Sequence, residues 1–314
     1  MAEAAVPGVT SGLTQTPRPI ALGDVGRYHR AMHVGLSLML DDAFRDAAMP
    51  LFEAGKVGAL EYGFELGWAR PRPAWAGGLL DFYGAQGRLW GHGVTYSPLS
   101  EDAPLRHGEW MAQVERDCAA LQLQGVSEHY GFMGVDGVNV GAPLPPPPVP
   151  EVVEAGTAAM GALKRTLGLP VGLENLAMGL SPDDVEAQPR LLSQILDAVD
   201  GYLVLDLHNL WCQAVNFGVD PIALMDAYPL ARTRVMHVSG GSWSSHGAVQ
   251  LRRDTHDGRV PDPVFTLLAE ALSRCTPQVV LLEQLGPTLA DSEGARGYRL
   301  DFERLCETCG NDVG

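Results

Sequence analysis

Six apolar runs in this 314-residue chain each stop at residue types that bind metal ions. One ends in His92 (GHG), the next in Glu128-His129 (SEHY), and a third in Glu174-Asn175 (GLENL). A fourth ends in Asp206, followed by His208 and Asn209 (LDLHNL), a fifth in His237 (MHVSG), and a sixth in Glu283 (LLEQ); Asp254-Thr-His256 lies downstream of His237. Any one of these, alone, is ordinarily a hydrogen-bonding group or a helix cap. Brought to one cavity, the four carboxylates Glu174, Asp206, Asp254 and Glu283 cannot all stay ionised without cations between them. With His92, His129, His237 and His256 they exceed the donors of a mononuclear site, so two or three metals bridged by carboxylates are expected. Mixed imidazole and carboxylate ligation suits Fe, Mn or Zn, and the lack of a core cysteine pair argues against structural zinc or an iron–sulfur centre. Glu61 and Glu65 could face the same cavity or be solvated charges. His208 points to the opposite face from Asn209 if the strand pattern persists, and a role supporting the ligands and no role at all are equally open for it. Ser239-Gly-Gly-Ser-Trp243 and His246 read as a mobile loop over the site, with Trp243 either a stacking surface or an anchor.

These residues need elements to hold them. Eight runs of strand length, each bounded by Gly, Pro or polar residues, recur at Val34–Leu38, Val57–Tyr62, Arg88–Gly91, Gln122–Ser127, Pro170–Leu173, Tyr202–Leu205, Arg234–Met236 and Gln278–Leu282. Helical patterns lie between them at Glu109–Leu121, Glu151–Leu167, Asp183–Val199, Pro221–Ala227 and Asp262–Cys275, with Pro150 and Ser181-Pro182 as start signals. The alternation predicts an α/β fold, a single (β/α)8 TIM-type barrel with its site at the C-terminal strand ends; a doubly wound open sheet is the other candidate. Residues 1–30 read as a flexible lead-in, 31–300 as the catalytic barrel and 301–314 as a tail. Cys306-Glu-Thr-Cys309 has redox or metal spacing, but its place in that tail favours a frayed end. The proline-rich Ala142–Pro150 reads as a stiff loop at the barrel rim rather than a linker.

Composition narrows the class. Lys plus Arg number 22 against 38 Asp plus Glu, a formal charge of −16, while 46% of residues are hydrophobic. That supports a sizeable core and disfavours disorder. No apolar run approaches the roughly 20 residues needed to cross a bilayer. Without a basic run beyond pairs such as Arg252-Arg253, a nucleic-acid partner is not expected, although acidity alone does not exclude one. Five scattered cysteines fit a reducing, cytoplasmic setting better than a disulfide framework. A nucleophile elbow, a phosphate loop and a dinucleotide fingerprint are all missing from the strand-to-helix contexts they require.

The motifs HGV (92–94), VSEH (126–129), LEN (173–175), LDLHN (205–209), NFGVDP (216–221), MHVSG (236–240), DTHDGRVPDPVF (254–265) and LLE (281–283) resemble, in order, the multinuclear non-heme iron-dependent oxidative enzymes, the family of the methanobactin-biosynthesis oxidase. The resemblance spans about Gly35 to Gln284. It implies a xylose isomerase-like or endonuclease IV-like barrel holding two or three irons, mixed Fe2+ and Fe3+, with O2 as co-substrate. The substrate it implies is a residue, commonly cysteine, of a ribosomally made precursor peptide, oxidised by loss of hydrogen from its β-carbon. Carried over by motif, His92, His129 and Glu174 hold one iron; Asp206, His237 and Glu283 a second, bridged by Glu174; Asn209, Asp254 and His256 a third or its surroundings. Glu174 and Asp206 then belong to the catalytic centre, and Asn175 lines its substrate side. A separate leader-binding partner protein is implied, which the acidic surface could suit if the leader or partner is basic.

Two departures bear on the substrate. Where members commonly show His-Pro-Glu-Asn after the second strand, this chain has Gly63-Phe64-Glu65-Leu66; where two Asn follow the sixth-strand Asp, it has His208-Asn209. Two other functional classes remain open: a Zn- or Mn-dependent endonuclease IV-like phosphodiesterase or sugar isomerase, with Arg252 and Arg253 as its phosphate-binding cations, and a non-catalytic barrel subunit of a biosynthetic complex.

Overall fold

In the computed structural model, which describes residues 32–310 apart from 70, 101, 102, 136, 137 and 248, eight parallel strands close into a barrel. In chain order they are β1 (His33–Leu38), β2 (Ala59–Gly63), β3 (Leu89–His92), β4 (Val126–His129), β5 (Val171–Glu174), β6 (Tyr202–Asp206), β7 (Thr233–Ser239) and β8 (Val279–Glu283). Helices separate the strands, and β8 pairs back onto β1 with Gly35 opposite Leu281. That closure rules out the open sheet. The expected lead-in lies outside the described residues. No described helix is long and apolar enough to cross a membrane.

Strand alternation builds two separate cores. Outward residues such as Leu36, Leu60, Val126, Leu173, Leu205, Met236 and Leu282 pack with the helices in one cluster. Inward residues Ala59, Trp90, Tyr202, Val204, Val235, Val279 and Leu281 form a second, closed inside the barrel. Gly172 makes room for it: a Cβ there would meet the Tyr202 ring at 2.3 Å. Two residues further along each strand, the period of two places Ser37, Glu61, His92, Glu174, Asp206, His237 and Glu283 inward as well. The barrel therefore has an apolar floor and a polar, buried upper layer.

The helices form where capping chemistry allows. Ser181 accepts from Asp184 N while the Asp184 carboxylate accepts from Ser181 N, opening Pro182–Val199. Pro150 sits at the start of Pro150–Leu167, where its missing N–H costs nothing.

Four expectations need correction. Strand four begins at Val126 rather than Gln122, which brings His129 inside the strand. Ser239–Trp243 leads into an antiparallel hairpin, Trp243–His246 against Val249–Arg252, and Ala142–Leu144 belongs to a second hairpin strand, Val138–Leu144. Finally, the last helix runs Ser292–Thr308 through the expected start of a tail at 301, and the compact unit beginning at Met32 continues past residue 300. Asp301, Phe302, Leu305 and Cys306 are buried, so the Cys306–Cys309 pair sits on a packed helix end rather than a frayed one.

Candidate metal centre

Glu174, at the end of β5, is the hub of the polar layer. Its Oε2 stands 3.4 Å from His92 Nε2 on β3, 3.7 Å from His129 Nε2 on β4 and 3.5 Å from His237 Nδ1 on β7. His237 Nδ1 is in turn 3.4 Å from Glu283 Oε2, which lies 3.8 Å from His256 Nε2. These gaps are too long for good hydrogen bonds, but two donors sharing one ion at ~2.1 Å each stand roughly 3–3.5 Å apart. Glu174 Oε2, Asp206 Oδ2, Asn209 Oδ1, His237 Nδ1 and His129 Nδ1 are buried without a hydrogen-bond partner. Buried polar atoms left unpaired are costly and rare. Donor atoms within 4.8 Å of one another form four groups: His92, His129 and Glu174; Glu61, His237 and Glu283; Glu174, Asp206 and His237; Asp206, His256 and Glu283. The shared members make the groups one cluster, and its orphaned donors fit bound cations.

The donors are held from behind. Ser127 donates to Gly91 O and lies 2.9 Å from His92 Nδ1, leaving Nε2 to face Glu174. Glu61 takes His237 Nε2 at 3.1 Å, and Ser37 Oγ sits 2.8 Å from Glu61 and 3.0 Å from Glu283. Asp206 accepts Asn209 N through Oδ1 as the cap of helix Leu207–Phe217, which aims Oδ2 into the cavity. His256 holds a left-handed backbone, φ 49°, a strained conformation of the kind that clusters at functional sites.

Electrostatics show the same crowding. Burial, then the charges of Asp254, Glu174 and Glu283, drive Asp206 well above the ordinary carboxyl range. Glu283 is also raised, chiefly by burial. For Glu174 burial acts upward, but the imidazoles of His129, His237 and His92 outweigh it and bring the carboxyl to about 2. Burial lowers His92 to about 4. His256 is raised to about 10, because Asp254 overcomes the burial effect.

A family model described as the RiPP precursor modification enzyme MbnB/TglH/ChrH matches residues 76–287. The chain belongs to this family. Membership makes it a member of an enzyme family whose substrates are precursor peptides. A UPF0276 protein of Caulobacter vibrioides is 28% identical over 243 residues, covering 77% of this chain and 82% of that protein. The IolI protein, solved with a zinc atom, superposes with a TM-score of 0.58 at 12% identity, over 89% of this chain and 98% of that one. A putative xylose isomerase of Rhodospirillum rubrum gives 0.55 at 14% identity, over 88% and 99%. At such identities the two structures show a shared fold, the xylose isomerase-like barrel.

In this member of the MbnB/TglH/ChrH family, the predicted residues His92, His129, Glu174, Asp206, His237, His256 and Glu283 come together. Asn209 joins them, its Nδ2 donating to Glu174 Oε1 at 3.0 Å. Asp254 falls in none of the four groups; its Oδ1 lies 2.8 Å from His256 Nε2 and 3.0 Å from His208 Nδ1. Asn175, expected on the substrate side, is instead fully buried and bonded through both ends of its amide to the backbone of Asp206. It clamps β5 to β6. Glu65 is also elsewhere, accepting from Val94 N, Thr95 and Trp110 Nε1. Glu61 and Ser37 were the residues that sequence reasoning underweighted. Both sit inside apolar runs rather than at their ends, and only the inward alternation from Ala59 and Gly35 marks them.

Proposed function

We propose that this chain is a multinuclear iron enzyme that uses O2 to oxidise a cysteine of a ribosomally made precursor peptide. The observation that carries the reading is Glu174 Oε2, unpaired and within 3.4–3.7 Å of imidazoles from three different strands. One carboxylate oxygen serving three imidazoles suits a bridged cluster better than a single ion. His92, His129 and Glu174 would hold one iron; His237, Asp206 and Glu283, together with Glu174, would hold a second; His256, Asp206 and Glu283, with Asp254 and Asn209 beside them, would hold a third. Iron matches the cysteine-free mixture of imidazole and carboxylate. When bound, the irons would lower the pKa of a substrate thiol and supply electrons that dioxygen takes up.

The chain's own residues set the conditions for that chemistry. Glu61 fixes the orientation of His237, as carboxylates behind metal-binding histidines do. Trp90, Tyr202, Val204 and Leu281 exclude water from below. His129, His256 and Asp254 retain 19%, 24% and 21% side-chain exposure, so a peptide reaches the cluster past them. A separate leader-binding protein completes the system in this reading, and the charge of −16 favours a basic partner or leader. The phosphodiesterase alternative keeps only one of its two cations accessible, since Arg252 is buried against His208 while Arg253 stays exposed.

The test is metal analysis and Mössbauer spectroscopy of protein purified without oxygen, followed by O2-consumption assays with a cysteine-containing precursor peptide. Two or three irons per chain and peptide-dependent O2 uptake are expected. Zinc or manganese at full occupancy, with no iron taken up on anaerobic reconstitution, would overturn the reading.

A further inference from the structure

Behind Asp254 stands a buried chain of donors that the cluster itself does not explain. The Arg252 guanidinium lies over two indoles that meet edge to face, 4.9 Å from the Trp211 ring and 5.7 Å from the Trp243 ring. Its backbone is fixed as well, Arg252 N donating to Asn216 Oδ1 at 2.8 Å while Asn216 Nδ2 donates to Arg252 O at 2.9 Å. From this position Arg252 Nε donates to His208 Nε2 at 3.2 Å. A guanidinium has no acceptor, so His208 Nε2 must present its lone pair, and the single proton of a neutral imidazole must sit on Nδ1. That proton points at Asp254 Oδ1, 3.0 Å away. The His208 ring is fully buried against Cys212 Sγ, 3.8 Å from Nε2, with no room to turn towards water.

We infer that Arg252 and His208 are positioning residues: they lock the His208 tautomer, hold Asp254 against His256, and so set the affinity of the metal position formed by Asp206, His256 and Glu283. The inference rests on the metal-cluster reading above and goes beyond it. A carboxylate pinned by a donor cannot swing away when an ion arrives, and outer partners of this kind are worth roughly 10–100-fold in metal affinity. Trp243, 47% exposed, covers the outer side of the Arg252 guanidinium, so the surface hairpin and the half-buried Asp254 share one mechanical support.

Two measurements test it. Long-range proton–nitrogen NMR of the metal-free parent should show His208 protonated at Nδ1 and bare at Nε2; the opposite tautomer overturns the inference without any variant. Anaerobic Fe2+ titration is then compared for the parent, His208→Leu, Arg252→Met and His208→Asn, with circular dichroism and Tm recorded for each. His208→Leu and Arg252→Met should weaken one equivalent roughly 10–100-fold and leave the others in place. His208→Asn, which restores a side-chain N–H donor, should recover much of that loss. If all equivalents weaken together in step with Tm, or none moves, the inference is overturned while the cluster stands. A parent that takes up no metal at all overturns both.

Discussion

Glu174 carries more of the centre than any other side chain, and replacing it tests the sharing of one oxygen among three imidazoles. Glu174→Gln keeps the shape and the Asn209 hydrogen bond site but removes the charge that His92, His129 and His237 face. Bound metal should fall by about one equivalent or more per chain, read by elemental analysis, while far-UV circular dichroism stays unchanged. The histidines make a second prediction, in pH. Metal-free His256 holds its proton up to about pH 10 instead of the ordinary 6.5, because Asp254 overcomes the lowering effect of burial. The His256–Asp254 pair therefore stabilises the metal-free fold fully below pH 6.5 and stops doing so as pH climbs through about 10. An ion binding at Nε2 must expel that proton. Across the same window metal affinity should rise with pH, and calorimetry in buffers of different ionisation enthalpy should show protons released on binding.

At the scale of elements, the floor tests how strands and glycines share the barrel interior. A methyl group at Gly172 would meet the Tyr202 ring at 2.3 Å inside the closed barrel, so Gly172→Ala should cost about 1–3 kcal/mol, read as a lower urea midpoint. Adding Tyr202→Leu to that variant should return part of the loss, because the smaller side chain vacates the contested space. The same strands show what a sequence can convey. All eight were legible because each is an apolar run between breakers, and the barrel followed from their alternation with helices. Ligands at strand ends, such as His92 and Glu283, were legible because a polar residue closing an apolar run stands out. Glu61 did not stand out, because Tyr62 and Gly63 continue the run past it. Asn175 misled for a different reason: adjacent to Glu174, it must face the other side of β5, where it meets the backbone of Asp206. His208 was set opposite the ligands on the premise that the strand continued, but the strand ends at Asp206 and His208 lies in helix Leu207–Phe217, and Arg252, 44 residues away, is a partner no local pattern reveals.

At the scale of the molecule, the final helix locks the loop that carries Asp254 and His256. Asp301 is buried and takes Arg259 Nε and Nη2 at 2.7 Å each, along with Val260 N at 3.1 Å. Asp301→Ala leaves Val260 N without its partner and should cost about 1–3 kcal/mol, measured as a lower urea midpoint. Ending the chain at residue 300 removes Phe302, Leu305 and Cys306 from the core as well, and should abolish cooperative unfolding. The sealed floor has a consequence of timing. With Trp90, Tyr202 and Leu281 closing one end of the barrel, ions and peptide must use the same mouth, beside His129 and His256. Under the proposed function, loading would then be last in, first out: a chain meeting its substrate before its metals would be plugged while empty, and one already charged would keep its ions for as long as the peptide stays.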